Sequence, residues 1–337
     1  RQAAQLDFAL ALETEALIRR DGPALSDVSA ERICDELSKL LACALSAPFL
    51  FEFDRLGLLG TILPELEPLR GLGQSPPHQY AVLKHSLETV GALEFLLGEI
   101  GYTWLRRRTV GNWKPGGLEL GELPNYAGKI GEHLDAVVSD ARPRLVTLKM
   151  AALLHDAGKP GARSVDEDGR IRFLSHERAG GKLAGEALQR LRFSGVETRL
   201  VKVIVCYHMR PLMLASQDCV SARAVYRFFR DAGDAGVDIL LLALADHLAT
   251  HAVHNEGSGW QSLIGLVTRM LAYYWERETG QPQAPLLVDG HDLLDGLGLQ
   301  PGRQVGQLLE AVREAQAIGQ VRTREEAMEL AKSLVEG

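Results

Sequence analysis

The sequence predicts an all-α fold. Apolar residues recur at three- and four-residue spacing through most of the 337 residues, and strand-like alternation is scarce. Ile33, Leu37, Leu40, Leu41 and Leu45 form one helical stripe, and Leu183, Ala187, Leu188 and Leu191 another. A chain of this length with 46% hydrophobic residues can fill a sizeable core without disulfide staples. Gly169 to Leu174, after the acidic turn Asp166, Glu167 and Asp168, stands outside the helical pattern. It reads as a short hairpin arm or an ordered loop.

Two breaks organise the chain. Residues 102–143 carry Gly111, Pro115, Gly116, Gly117, Gly121 and Pro124 between strongly periodic stretches, which marks an insertion with its own short helix around Lys129 to Val138. Its Trp104, Trp113 and Tyr126 belong to an ordinary packed subdomain or serve as anchors, and shielding the pocket, contacting RNA or joining a homodimer are all open to it. Residues 278–285, with Gly280, Pro282 and Pro285, form the second break. The expected parts are an N-terminal helical region at 1–75, a central domain at 76–278 and a C-terminal segment at 279–337.

Composition narrows the functional classes. The net charge of −7 argues against a globally electrostatic nucleic-acid binder, so any RNA contact is local. Arg106, Arg107, Arg108 and Lys114 form one candidate cluster and Arg303, Arg313, Arg322 and Arg324 another, although either alone reads sooner as a plain solvated face than as a nucleic-acid surface. Cys34, Cys43, Cys206 and Cys219 form no C-x-x-C pair, which favours a reducing compartment. No apolar run reaches the roughly 18 residues needed to cross a bilayer, and no signal pattern opens the chain. A cytoplasmic protein with no membrane partner is expected.

The sharpest local signal is LKMAALLHDAGKP at 148–160, an apolar helix that ends in adjacent His155 and Asp156, followed by Gly158, Lys159 and Pro160. Neighbours on a helix diverge by about 100°, so a helix end is where both can point into one pocket. An isolated pair there is ordinarily a cap or a surface pair. Other residues change that reading. His85 sits in the packed helix VLKHSLETV, with His78 just ahead in a Pro-rich turn. His176 opens a helix behind Ser175, a candidate N-cap, and His208 closes the apolar run 200–206. Each histidine alone is ordinarily structural. Asp246 interrupts ILLLALADHLA, and a buried carboxylate there needs a partner, for which a metal is economical.

Together His85, His155, Asp156, His176, His208 and Asp246 suit one or two divalent ions of Mn, Fe, Co, Ni or Zn, with Mg also allowed. Asp156 suits a bridging and catalytic role, the ions polarising a phosphoryl oxygen and lowering the pKa of a shared water to give an in-line nucleophile. Lys159 and Arg210 are catalytic candidates for holding the substrate phosphate or ordinary surface cations. His247, His251 and His254 read as polar-face residues with a minor chance of supporting the ligands.

In this order, His85, the His155–Asp156 pair and Asp246 resemble the HD phosphohydrolase superfamily, and His176 and His208 match the extra histidines of its two-metal members. A narrower resemblance covers nearly all of the chain outside 102–143. RQAAQLDF at 1–8 and VSAERICDELSKLL at 28–41 look like the neck of the bacterial transfer RNA nucleotidyltransferase and poly(A) polymerase family. Pro64, Glu65, Leu66, Gln74, His78 and His85 look like the entry into that family's HD domain. Gly290, Asp292, Leu293, Pro301, Gly302, Gly306, Leu309 and the Thr-Arg-Glu-Glu of 323–326 are similar to its C-terminal RNA-binding body.

The resemblance implies an HD activity on phosphomonoesters or 2′,3′-cyclic phosphates, such as those at damaged RNA 3′ ends, with transfer RNA or a nucleotide as partner. Family members open with a head whose Gly-Ser loop and paired aspartates bind metal and a nucleoside triphosphate. The chain opens at Arg1 without that unit, so nucleotide addition is not expected, the head being either removed or naturally absent. Two other readings remain: a transfer-RNA-binding module with a structural or vestigial metal site, and a phosphodiesterase of small nucleotides.

Overall fold

A computed structural model of the chain describes residues 1–6, 8–102, 118–251, 258–280 and 286–336. The all-α expectation holds. Helices carry the chain, and the strands among the described residues form two antiparallel hairpins. One pairs Val137–Ser139 with Arg142–Pro143. The other pairs Arg163–Val165 with Ile171–Phe173, so the 169–174 segment is a hairpin arm rather than a loop. Asp166 holds its turn, accepting the Arg170 N–H on Oδ1 at 2.8 Å, and Gly169 supplies the φ of 75° that L side chains rarely adopt.

The chain falls into two compact units, one of residues 1–216 and 235–268, the other of residues 217–234 and 269–337. In the first, the helix Val82–Glu99 packs against Gly236–His251 and Arg144–Leu154. Gly195–Tyr207 packs against Arg144–Leu154 and His176–Arg190. Pattern explains placement. Every residue of Arg144–Leu154 is buried, as suits a helix without a polar face. His176–Arg190 keeps Lys182, Glu186 and Gln189 in solvent and lies close on its neighbour, since a Cβ on Gly181 would fall 2.3 Å from Cys206 Sγ.

Charged residues on these apolar helices act as locks. Lys149 is 1% exposed, and its Nζ donates to Glu94 Oε1 and to the Cys43 carbonyl, each at 2.7 Å. Glu94 in turn accepts the Ser46 N–H at 2.7 Å and the Ala47 N–H at 3.2 Å, placing a carboxylate on the N-terminus of the helix Ala47–Arg55. Arg144 Nε donates to Asp238 Oδ2 at 2.8 Å, and Arg142 holds the buried Glu197 through two bonds of 2.6 and 2.7 Å.

Two sequence expectations shift. The insertion's helix runs Ala127–Asp135 and ends before Val138, because Ala136 turns to extended backbone and leads into the strand at Val137. Trp104, Trp113, Arg106, Arg107, Arg108 and Lys114 lie outside the described residues. Ser175 is not a side-chain cap: it takes φ 60° and makes no capping hydrogen bond, because the chain enters the helix from the hairpin through a left-handed residue. Fully formed capping boxes are elsewhere, between Ser194 and Glu197 and between Asp289 and Asp292.

The turn after Leu154 places the pair His155–Asp156 against the start of His176–Arg190, and it depends on Gly158. A Cβ there would lie 2.1 Å from the His176 carbonyl oxygen and 2.5 Å from Gly180 N. The second unit holds its own core of Val288, Leu293, Leu308, Val312, Ala315 and Ala327. Its Arg223 and Arg227 converge on Glu314 at 2.7 and 2.8 Å, and Arg324 is paired with Asp292 at 2.5 Å. Among the described residues no helix is long and apolar enough to cross a membrane.

Glu94→Leu strands a buried ammonium and should lower stability by about 3–5 kcal/mol, most of which Glu94→Leu combined with Lys149→Met recovers. Urea midpoints of the three chains check this; equal midpoints for the wild type and Glu94→Leu would contradict it. Gly158→Ala should cost about 1–3 kcal/mol by the same measurement, because the backbone it meets cannot step aside.

Candidate metal centre

All six ligand-type residues predicted from sequence come together in the first unit, on five segments. His85 lies in the first turn of Val82–Glu99, Asp246 in the third turn of Gly236–His251, and His176 opens its helix. His155 and His208 are the C-cap residues of Arg144–Leu154 and Gly195–Tyr207. Helix ends solve an orientation problem here. At each of these three histidines the Nδ1 bonds the carbonyl three residues back: Ala152 for His155 at 2.8 Å, Phe173 for His176 at 2.7 Å, and Val205 for His208 at 2.7 Å. A carbonyl only accepts, so Nδ1 carries the proton and Nε2 presents its lone pair to the cluster.

The cluster is continuous. His85 Nε2 lies 2.9 Å from Asp246 Oδ1 and 3.7 Å from Asp156 Oδ2. His155 Nε2 lies 3.3 Å from Asp156 Oδ2, and His176 Nε2 lies 3.2 Å from Asp156 Oδ1. The His155 and His208 rings are 5.1 Å apart, and those of His176 and His208 5.3 Å apart. Close as they are, Nε2 of His85, His155, His176 and His208 are buried with no hydrogen-bond partner, and the equally buried Oδ2 of Asp156 has the Lys159 ammonium beside it at 2.7 Å. Contacts this short without hydrogen-bond alignment suit groups aimed at a common third atom.

The donor set fits a divalent cation. Donors of His85, His155 and Asp246 lie within 4.8 Å of one another, as do those of His155, Asp156 and His208. Ligands each about 2.0–2.2 Å from one ion necessarily sit a few ångströms apart. Electrostatics agree. Burial raises a carboxyl pKa, yet His155 and Lys159 hold Asp156 well below the usual range, and His85 does the same for Asp246. Burial, with the His155 charge, pushes His208 down to about 3, keeping its imidazole neutral. Burial opposes a charge on His155, but Asp156 beside it raises its pKa above the ordinary value.

The two candidate phosphate-binding cations differ. Lys159 is 5% exposed, with Nζ 2.7 Å from Asp156 Oδ2 and 2.5 Å from Gln74 Oε1, so it belongs to the cluster. Arg210 lays its guanidinium over the Tyr207 ring at 5.3 Å. His247 and His251 stack on each other at 4.1 Å, and His247 lies 5.8 Å from the Trp260 ring, an arrangement that serves packing. His254 lies outside the described residues.

Sequence reasoning left three neighbours unassigned. His78 meets the His85 ring edge-on at 5.2 Å, and burial pushes its pKa down to about 4. Gln74 accepts from Lys159, and Thr250 Oγ1 reaches Asp246 Oδ1 at 3.5 Å. Gln74 and His78 come from the turn before Val82. Their only sequence signal is that they accompany His85 in the stretch quoted above.

Comparison with known proteins accords with this architecture. Residues 124–250 match the HD domain family, and residues 7–69 match the family described as the probable RNA and SrmB-binding site of polymerase A. The chain is 33% identical over 333 residues to the CC-adding tRNA nucleotidyltransferase of Thermus thermophilus and 31% over 332 residues to the A-adding enzyme of Deinococcus radiodurans. It is 27% identical over 327 residues to the CC-adding enzyme of Geobacter sulfurreducens. These alignments cover 97%, 96% and 97% of this chain but 63%, 63% and 60% of the relatives. With an HD domain behind a polymerase-A-type RNA-binding segment, the chain is a homologue of the CC-adding and A-adding tRNA nucleotidyltransferases that spans about three fifths of their length.

Proposed function

We propose that the chain is a metal-dependent phosphohydrolase acting on phosphate esters at RNA 3′ ends or on nucleotides, within a tRNA nucleotidyltransferase-like protein that serves tRNA 3′-end processing. One observation carries the reading: four imidazole lone pairs and two ionised carboxylates are buried about a common space with their hydrogen bonding to one another unmet. His85, His155 and Asp246 would hold one divalent ion, and His176, His208 and Asp156 a second, with Asp156 offering an oxygen to each side. Such ions supply Lewis-acid polarisation of a phosphoryl oxygen and a water acidic enough to attack at neutral pH.

The chain's own residues do the rest. Asp156 turns Oδ2 toward His155 and Oδ1 toward His176, so a single carboxylate orients both halves of the site. Lys159, fixed between Asp156 and Gln74, keeps a positive charge beside the reacting phosphate as negative charge builds on it. Arg210 stands three residues from Tyr207 as the second phosphate-holding group. His78 and Thr250 flank the His85–Asp246 side and keep those ligands in place.

A second reading has its own support. The 7–69 match and the printed activities of the relatives favour a tRNA-binding module whose buried cluster holds a structural metal. Activity separates the two. Asp156→Ala should reduce metal-dependent hydrolysis of an aryl phosphodiester by at least about 100-fold, as loss of a bridging ligand does. Unchanged turnover would remove Asp156 from this role. RNA ending in a 2′,3′-cyclic phosphate or a 3′-phosphate, assayed beside mononucleotides, identifies the substrate class.

Loading is also proton-linked. A cation needs His155 neutral, and the raised proton affinity of His155 means that binding expels a proton. Metal affinity should therefore fall as pH is lowered from about 8 to about 6, and calorimetry in buffers of different ionisation enthalpy should record proton release. A pH-independent affinity contradicts this assignment.

A further inference from the structure

A cavity of about 710 Å³ runs along the outer side of the helix Gly195–Tyr207 and shares no residue with the metal cluster. The chain carries a net charge of −7, yet no acidic side chain lines this cavity, while Arg192, Arg199 and Lys202 do. Arg199 and Lys202 stand three residues apart, so both side chains emerge on one helix face. Neither forms an ion pair with a described residue, and Arg192 has only an exposed contact with Glu31 at 3.8 Å. The stem of Lys202 lies across Gly185, where a Cβ would meet its Cδ at 2.6 Å, which anchors the base of that side chain.

A second observation points to a ligand. Thr198 lies in the same wall, is 5% exposed, and its hydroxyl has no hydrogen-bond partner. Buried hydroxyls are almost always satisfied, so this one is a donor left unused. Phe193, Val203 and Tyr207 complete the wall with apolar and aromatic surface. Cations that match a phosphate, beside aromatic surface and in a volume larger than a bare anion needs, describe the recognition of a nucleotide.

We propose that this groove binds the phosphate of a nucleotide, gripped by Arg192, Arg199 and Lys202 with Thr198 as an additional donor and the base against the aromatic wall. The site goes beyond the hydrolase reading and does not depend on it. The test is calorimetric titration of the full chain with AMP, with ADP and with a 5′-phosphorylated RNA hexamer, repeated on Arg199→Glu/Lys202→Glu, on Thr198→Val and on Asp156→Ala. Arg199 and Lys202 are exposed, so their replacement leaves the fold intact by circular dichroism and leaves aryl phosphodiester hydrolysis unchanged.

Saturable binding is expected, weakened at least about tenfold by the double replacement and several-fold by Thr198→Val, and unchanged by Asp156→Ala. Binding of AMP or ADP with this pattern assigns a mononucleotide site. Binding of the hexamer alone with the same pattern supports the proposal with the phosphate supplied by an RNA chain. Absence of saturable binding by all three ligands, equal affinity in the double variant, or loss of binding only in Asp156→Ala overturns it.

Discussion

Burial of uncompensated charge is the constraint from which the rest of the first unit follows. His85, His155, Asp156 and His208 are each 1% exposed, at or near the ends of helices that bury mostly hydrocarbon. Two ionised carboxylates there outweigh the single ammonium of Lys159, and an isolated ion in such surroundings costs several kcal/mol. A divalent cation would remove that cost. It would also account for imidazoles and carboxylates lying 2.9–3.7 Å apart without bonding one another, an arrangement that otherwise wastes buried donors and acceptors.

The scaffold supplies rigidity where the cluster needs it. His155, His176 and His208 are each tied to their own helix through Nδ1, so each Nε2 is aimed by backbone rather than by side-chain packing. The helices are pinned by Lys149–Glu94, Arg144–Asp238 and Arg142–Glu197, three buried ion pairs outside the cluster. Such pairs add little net stability, but each is strongly position-specific, since sliding the helix by one residue would bury unpaired charge. Gly158 completes the arrangement by letting the His155–Asp156 turn lie directly on the backbone at His176.

Much of this was legible from residue pattern because a titratable side chain inside an apolar run is conspicuous. Asp246 within ILLLALADHLA and His155–Asp156 at the end of LKMAALL are of that kind. What escaped lacked contrast. Lys149 is a lone cation in an apolar helix, and nothing in the pattern pairs it with Glu94, which lies 55 residues earlier and holds it in the core. Asp238 sits in the first turn of its helix, where an acid is ordinary, so its role as the partner of Arg144 was invisible. Gln74 and His78 lie in a turn with no periodicity to violate. Ser175 misled because a serine before a helix usually caps it, whereas here the hairpin fixes a left-handed entry. Gly169 to Leu174 reads from sequence as either hairpin arm or loop, since three-residue strands are too short for alternation to declare itself.

Whether the six residues form a single inorganic site decides the chemistry. Anomalous diffraction at transition-metal edges, from crystals grown with Mn, Co, Ni or Zn, tests it directly. One or two strong peaks are expected, enclosed by Nε2 of His85, His155, His176 and His208 and the carboxylates of Asp156 and Asp246. Crystals with no peak at that position, in which the imidazoles instead hydrogen-bond to the carboxylates or to ordered water, would contradict it.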